Sequence, residues 1–254
     1  MRLDWAATRP LWLEFWPEAV ASLSMPSIQV PLGIADSIAL GSQILGFGHW
    51  FSTAGPFPLD NIEERLEAVP TIDAGFVVRL GSRAPKDTDL WKATAGRIFT
   101  TSQIMRMLTG GSVRLAWDLK RSLSAGFETC LHLRVWRNIP PWSELRLFFK
   151  NRHLIAASQY DSNDRTAGDQ LWNCHSTVIP ALGVFEERFG SVSPLADVVA
   201  DVWFDTESQE VELIDLNPFH PFTDASFYSW VALDWDGALR LFRDGQILAI
   251  PLCQ

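Results

Sequence analysis

Val211-Glu212-Leu213-Ile214-Asp215-Leu216-Asn217-Pro218-Phe219 follows Asp197-Val198-Val199-Ala200-Asp201-Val202-Trp203-Phe204 across the polar segment Asp205-Thr206-Glu207-Ser208-Gln209-Glu210. Two apolar runs around a polar tip predict a β-hairpin with a loop of about five residues. Side chains alternate faces along a strand, so Asp215 and Asn217 point the same way, and such a loop sets Asp201 directly opposite Asp215. Three oxygen-bearing side chains then share one face of one hairpin. Ionised carboxylates in an apolar setting are costly unless paired or metal-bound, and hard oxygen donors suit Mg²⁺. One reading is therefore a magnesium–nucleotide site built on Asp201, Asp215 and Asn217. A second stays open, in which Asp215 and Asn217 cap a turn before Pro218 and Asp201 pairs with a neighbouring Arg.

Composition narrows the classes. A chain of 254 residues, 47% apolar and 20% charged, is long enough for one large domain or two lobes around a cleft. Twelve Trp and sixteen Phe against two Tyr supply rings for the core, an adenine pocket or a partner surface. A net charge of −9 argues against nucleic acid as the main partner, since a phosphate-backbone binder needs a basic face. Asp4, Glu14 and Glu18 interrupt the first apolar residues, so neither a secretory signal nor a membrane span is expected. Cys130, Cys174 and Cys253 are odd in number and form no Cys-x-x-Cys pair, which points to free thiols and a cytoplasmic setting. His49, His132, His153, His175 and His220 show no zinc spacing, and Cys174-His175 alone makes no metal site.

Along the chain the expected elements are a short exposed helix from Asp60 to Ala68, a strand over Gly75–Leu80 and an amphipathic helix over Thr101–Leu108 capped by Thr100 or Thr101. Asp118 to Glu128 reads as a mobile segment. Strands follow over Leu131–Ile139, Glu144–Lys150 and His153–Gln159, the last two closed by Asn151-Arg152; Pro140-Pro141 marks a turn or a lobe junction. Residues 165–190 read as helix with Gly190 as a stop. The strands are apolar on both faces, which suits sheets covered on both sides. The chain reads as α+β, in two lobes.

Candidate cations sit at three strand-associated places: Arg79 with Arg83 and Lys86 on the loop after it, Arg134, and Arg146. An Arg in an apolar strand needs an anion, which is either an internal carboxylate or a phosphate. No Gly-x-x-x-x-Gly-Lys-Ser/Thr loop, Gly-x-Gly-x-x-Gly turn, kinase catalytic loop or serine elbow occurs.

The segments Arg79-Leu80-Gly81-Ser82-Arg83-Ala84-Pro85-Lys86-Asp87, Leu133-Arg134-Val135-Trp136, Glu144-Leu145-Arg146-Leu147-Phe148, Ala157-Ser158-Gln159-Tyr160-Asp161 and Ile214-Asp215-Leu216-Asn217-Pro218-Phe219 with Thr223-Asp224, together with Phe15-Trp16-Pro17, resemble the cell division cycle protein 123 family in order. The resemblance implies an ATP-grasp-like α+β fold of two lobes, 1–130 and 131–254, with mainly antiparallel sheets around a nucleotide cleft. It implies ATP and Mg²⁺ as cofactors, with the metal on Asp201, Asp215 and Asn217. Arg79, Arg83, Lys86 and Arg146 would meet the phosphates, and Arg146 would be the catalytic cation. Leu133, Arg134, Val135 and Trp136 would run past the adenine as a hinge strand offering backbone hydrogen bonds. Arg79 stands where the family usually has Lys, and His220 where a glycine commonly follows. Eukaryotic members use ATP to join subunits of translation initiation factor 2, so the resemblance implies an ATP-dependent assembly factor with a protein partner. An ATP-dependent carboxylate–amine ligase remains the alternative, because acylphosphate chemistry needs positioning rather than a protein nucleophile. A scaffold without nucleotide is a third reading.

Overall fold

The computed structural model describes residues 4–252, so Cys253 lies outside the described residues. Two short 3₁₀ turns, Ala6–Leu11 and Leu13–Phe15, lead into α1 (Glu18–Ala21), β1 (Ser27–Leu32), α2 (Ile34–Gln43) and α3 (Asp60–Glu67). Then come β2 (Phe76–Leu80), α4 (Asp89–Thr94), α5 (Thr101–Thr109), α6 (Val113–Ala125) and β3 (Thr129–Val135). The second half holds β4 (Glu144–Lys150), β5 (His153–Gln159), α7 (Ala167–Val192), β6 (Val198–Phe204), β7 (Val211–Pro218), β8 (Ala238–Arg243) and β9 (Gln246–Pro251). No described helix is long and apolar enough to cross a membrane.

The architecture is α+β, with two separate sheets. One has three strands in the order β1-β3-β2, all antiparallel. The other has six, β7-β6-β4-β5-β8-β9, antiparallel except where β5 meets β8. Alternation sorts each sheet into two faces. Val30, Leu32, Val78, Leu80, Leu131 and Leu133 pack the small sheet onto the apolar stripes of α2, α3, α5 and α6, while Arg79, His132 and Arg134 point the other way. In the large sheet Leu145, Leu147, Phe149, Val198, Ala200, Val202 and Leu213 face α7. Its other face carries Arg146 and Asp201, then Phe148 and Val199 beneath Tyr228 with Trp230 and Trp235 packed alongside.

Several elements follow the sequence expectation closely. Thr100 caps α5, accepting from Gln103 N while the Gln103 side chain returns to Thr100 N, a reciprocal capping box. Asn151 and Arg152 both take positive φ, 50° and 70°, as a two-residue hairpin turn requires.

Others correct it. Residues 118–125 are not a mobile segment but the second half of α6, started by Ser112 accepting from Leu115 N and stopped by Gly126 in the left-handed region. The boundary at 130/131 cuts into β3, which belongs to the small sheet; the change of sheet falls instead at Pro140-Pro141. Leu11, Leu13, Trp16, Val20 and Leu23 also cross over, packing with the large sheet rather than the small one.

Gly190 does not stop its helix, which runs on to Val192. It is glycine because a Cβ there would lie 2.6 Å from the carbonyl oxygen of Arg152. Gly190→Ala is therefore expected to destabilise by about 1–3 kcal/mol, although Ala is the better helix former elsewhere. Urea unfolding of the variant beside wild type measures it, and an unchanged midpoint would mean the hairpin yields freely.

Candidate functional site

A polar row crosses the large sheet. Register sets Asp215 of β7 opposite Asp201 of β6, Asp201 opposite Arg146 of β4, and Arg146 opposite Ser158 of β5. Arg146 grips Asp201 with two hydrogen bonds, Nε to Oδ1 at 2.7 Å and Nη2 to Oδ2 at 2.9 Å. Its remaining Nη1 donates to the Asp224 carbonyl at 2.9 Å, and its guanidinium lies 4.8 Å from the Tyr160 ring centroid. Burial opposes the Arg146 charge, but the charge and hydrogen bonds of Asp201 outweigh it and hold the group above its ordinary range. Asn217 Nδ2 donates to Asp201 Oδ2 at 2.9 Å.

Asp215 meets Asp201 by a route that loop length alone does not give. Phe204 pairs with Val211 and Val202 with Leu213, which leaves six residues in the tip and would bring Ile214 opposite Asp201. A β-bulge at Ile214 absorbs one residue and restores Asp215 to that position. It also frees the Ile214 carbonyl, which accepts Arg134 Nη1 at 2.7 Å and Arg79 Nη1 at 3.4 Å. Arg79 Nη2 reaches Asp215 Oδ1 at 2.9 Å, and Leu216 N donates to the same oxygen at 3.0 Å. Two arginines of the small sheet thus clasp one edge strand of the large one. Burial lifts the Asp215 carboxyl above its ordinary range despite the Arg79 charge. Burial, then the like charge of Arg79, lowers Arg134 to about 9.

The facing wall comes from the loop after β2 and from α6. Asp118, buried in α6, takes Arg83 in a fork, Nε to Oδ2 and Nη2 to Oδ1, both at 2.5 Å. It also accepts Ser82 Oγ at 2.7 Å and Arg121 Nη1 at 3.0 Å. Lys86 Nζ stands 3.6 Å from a Glu144 oxygen and 4.9 Å from the Tyr160 ring centroid. Between the walls lies a cleft of about 550 Å³ lined by Trp5, Trp12 and Phe222 at its apolar side. Five basic residues (Arg83, Lys86, Arg114, Arg121 and Arg146) and five acidic ones (Asp118, Asp161, Asp201, Asp215 and Asp224) line the rest.

Of the residues singled out from sequence, Arg83, Lys86, Arg146, Asp201, Asp215 and Asn217 meet on this one cleft. Asp201 is paired with Arg146, and it lines the cleft together with Asp215 and Asn217. Arg79 and Arg134 sit behind the cleft wall, bound to Asp215, Ile214 and Ser24, not open to a phosphate. The hinge-strand expectation for Leu133 to Trp136 is corrected. β3 is the middle strand of its sheet, so β1 and β2 take up its backbone groups. Leu133 is core, Trp136 donates its indole N–H to the Ala95 carbonyl, and none of Leu133, Val135 and Trp136 lines the cleft. Asp118 and Arg121 fall in the segment expected to be mobile and Arg114 just before it; Ser112 before Leu115, Leu119 and Leu123 at helical spacing, then Gly126, is the sequence signal for α6.

Two of the three expected oxygen donors are open to Mg²⁺, while both Asp201 oxygens are engaged by Arg146 and Asn217. Asp215 Oδ2 and Asn217 Oδ1 accept no hydrogen bond among the described residues, and both belong to cleft-lining side chains. Oxygen-only ligands beside open space for water and phosphate are what a small hard cation takes.

A model of the family D123 matches residues 62–246. The chain belongs to the D123 family. It is 29% identical over 182 residues to the "Translation initiation factor eIF2 assembly protein" of Schizosaccharomyces pombe, covering 66% of this chain and 55% of that protein. The protein of the same description from Danio rerio is 28% identical over 213 residues, covering 78% and 59%. "Cell division cycle protein 123" of Yarrowia lipolytica is 29% identical over 182 residues, covering 69% and 48%. The chain thus spans about half the length of these curated relatives. Its fold matches the solved structure of Cdc123 from Schizosaccharomyces pombe, with a TM-score of 0.68 at 22% identity over 92% of this chain and 93% of that one. The C-terminally truncated form gives 0.70.

Proposed function

We propose that this member of the D123 family is an assembly factor whose cleft takes ATP with Mg²⁺, and that the nucleotide-bound form holds a protein partner. The observation that carries the nucleotide reading is the convergence, on one cleft, of Asp201, Asp215 and Asn217 from a single hairpin with Arg83, Lys86 and Arg146 from across it. Asp201, Asp215 and Asn217 would hold the metal, which supplies charge neutralisation between phosphate oxygens when bound. Arg83 and Lys86 stand on one loop, pinned through Asp118, where they can meet a triphosphate without rearranging the core. Arg146 is the cation nearest the metal ligands, and its pairing with Asp201 fixes its direction in advance. The assembly role follows the relatives, which are described as eIF2 assembly proteins; by that analogy the partner is a translation initiation factor subunit. Cys130 and Cys174 are free thiols, in keeping with a reducing cytoplasm.

Calorimetric titration of ATP, with and without Mg²⁺, into wild type and Asp215→Asn tests the site. Wild type should bind only with Mg²⁺, and the variant should lose at least about tenfold in affinity, or 1.4 kcal/mol. A folded wild type that takes no Mg-ATP would sink the nucleotide reading. Stoichiometric ADP release on adding a carboxylate and an amine would replace assembly with ligase chemistry.

A further inference from the structure

Behind the cleft, the outward face of β3 meets the N-terminal 3₁₀ turn in a cluster that the nucleotide site does not use. Glu14, Cys130 and His132 each offer one ligand atom, and these atoms all lie within 4.8 Å of one another. We propose that Glu14, Cys130 and His132 form a second metal site, selective for a thiophilic divalent cation such as Zn²⁺.

The arrangement is built rather than incidental. Glu14 Oε1 is fixed by Thr129 Oγ1 at 2.6 Å and Cys130 N at 3.1 Å, which leaves Oε2 facing His132 Nε2 at 3.2 Å. His132 Nδ1 is held by Ser27 Oγ at 3.0 Å, the outer contact that orients a ligating imidazole. A side chain at position 81 would overlap the Glu14 carboxylate, so glycine there admits it. Both Glu14 and His132 are almost wholly buried, at 6% and 1% side-chain exposure, while Cys130 remains half-buried and gives an ion its way in.

Two electron-rich atoms 3.2 Å apart in a buried place need something positive between them. A proton on Nε2 satisfies the pair alone. A tetrahedral ion satisfies it too, because neighbouring ligands on Zn²⁺ at bond lengths of about 2.0–2.3 Å stand about 3–4 Å apart. The cysteine decides between cations. Its sulfur lies within 4.8 Å of the other two ligand atoms, and a soft sulfur donor beside an imidazole suits Zn²⁺ rather than oxygen-seeking Mg²⁺. Spacing rules for zinc passed over the cluster because Cys130 and His132 are two apart on a strand, not three or four apart on a turn or helix.

The reduced protein is titrated with Co²⁺ under anaerobic conditions. One saturable site with a thiolate-to-cobalt charge-transfer band, bleached by Zn²⁺ and untouched by Mg²⁺, is the expected result. Cys130→Ser should lose the band and at least about tenfold in Zn²⁺ affinity, whereas Cys174→Ser and Asp215→Asn should keep both. Glu14→Gln, which retains the contacts to Thr129 and Cys130, provides a second variant should Cys130→Ser fail to fold; it should keep the band and bind more weakly. A folded wild type without the band, or a band that survives Cys130→Ser, overturns the site and leaves a Glu–His hydrogen bond. The outcome is independent of whether the cleft binds ATP.

Discussion

Replacing Arg146 by Met is expected to cost about 3–5 kcal/mol of stability, the range for removing one member of a buried ion pair. Asp201 is 3% exposed and Arg146 7%, so the carboxylate left behind has little water to replace the guanidinium. Asn217 Nδ2 would be its remaining partner. The loss should come from stranding a charge, not from lost packing, and a second substitution separates the two. Arg146→Met with Asp201→Leu removes both charges and should recover most of the stability while leaving no Mg-ATP affinity. Urea unfolding of the single and double variants reads this directly. A single variant within about 1 kcal/mol of wild type would show that the row across the sheet is not held by this pair.

Asp118→Ala is expected to cost about 3 kcal/mol, since charge-assisted hydrogen bonds contribute about 1.5–3 kcal/mol each and are partly replaced by water. Arg83 and Arg121 are 33% and 23% exposed, which gives them that replacement and keeps the loss below the sum of the contacts. Function should suffer more than folding. Asp118 ties Ser82 and Arg83 to α6, while Asp87 at the far end of the loop accepts from Ser112 Oγ and Arg114 N, so removing Asp118 frees Ser82 and Arg83 together but leaves that end held. Mg-ATP affinity should fall with it, and Asp118→Asn, which can still accept from Ser82, should fall less. Equal affinities in wild type and Asp118→Ala would mean that the loop does not position the nucleotide.

The hairpin was legible because Asp201, Asp215 and Asn217 stand out as charges and amides within apolar alternation, and the face they share is fixed by the pleat. Their opposition is also as expected, but it is reached through a bulge at Ile214, whose carbonyl accepts Arg79 and Arg134, and loop length alone does not show that bulge. Arg79 illustrates a general limit. Its presence in an apolar strand announces an anionic partner, but only the packing of two sheets says that the partner is Asp215 and not a phosphate. β3 was misjudged for a related reason: whether a strand is central or at an edge depends on β1, which pairs with it from about 100 residues upstream. The Asp244-Gly245 pair between β8 and β9 is a hairpin signal that the structure bears out, both residues taking positive φ.

The crossing of the N-terminal turns to the large sheet bears on how the molecule is made. Leu11, Leu13, Trp16, Val20 and Leu23 are synthesised well before the strands they pack with, which span residues 145–241. At about 5–20 residues per second on the ribosome, these apolar side chains wait on the order of ten seconds or more for their neighbours. The small sheet can close around β3 in the meantime, but the large one cannot finish its core until residues 11–23 come back to it. The docking of residues 11–23 onto the large sheet would then be a late folding step.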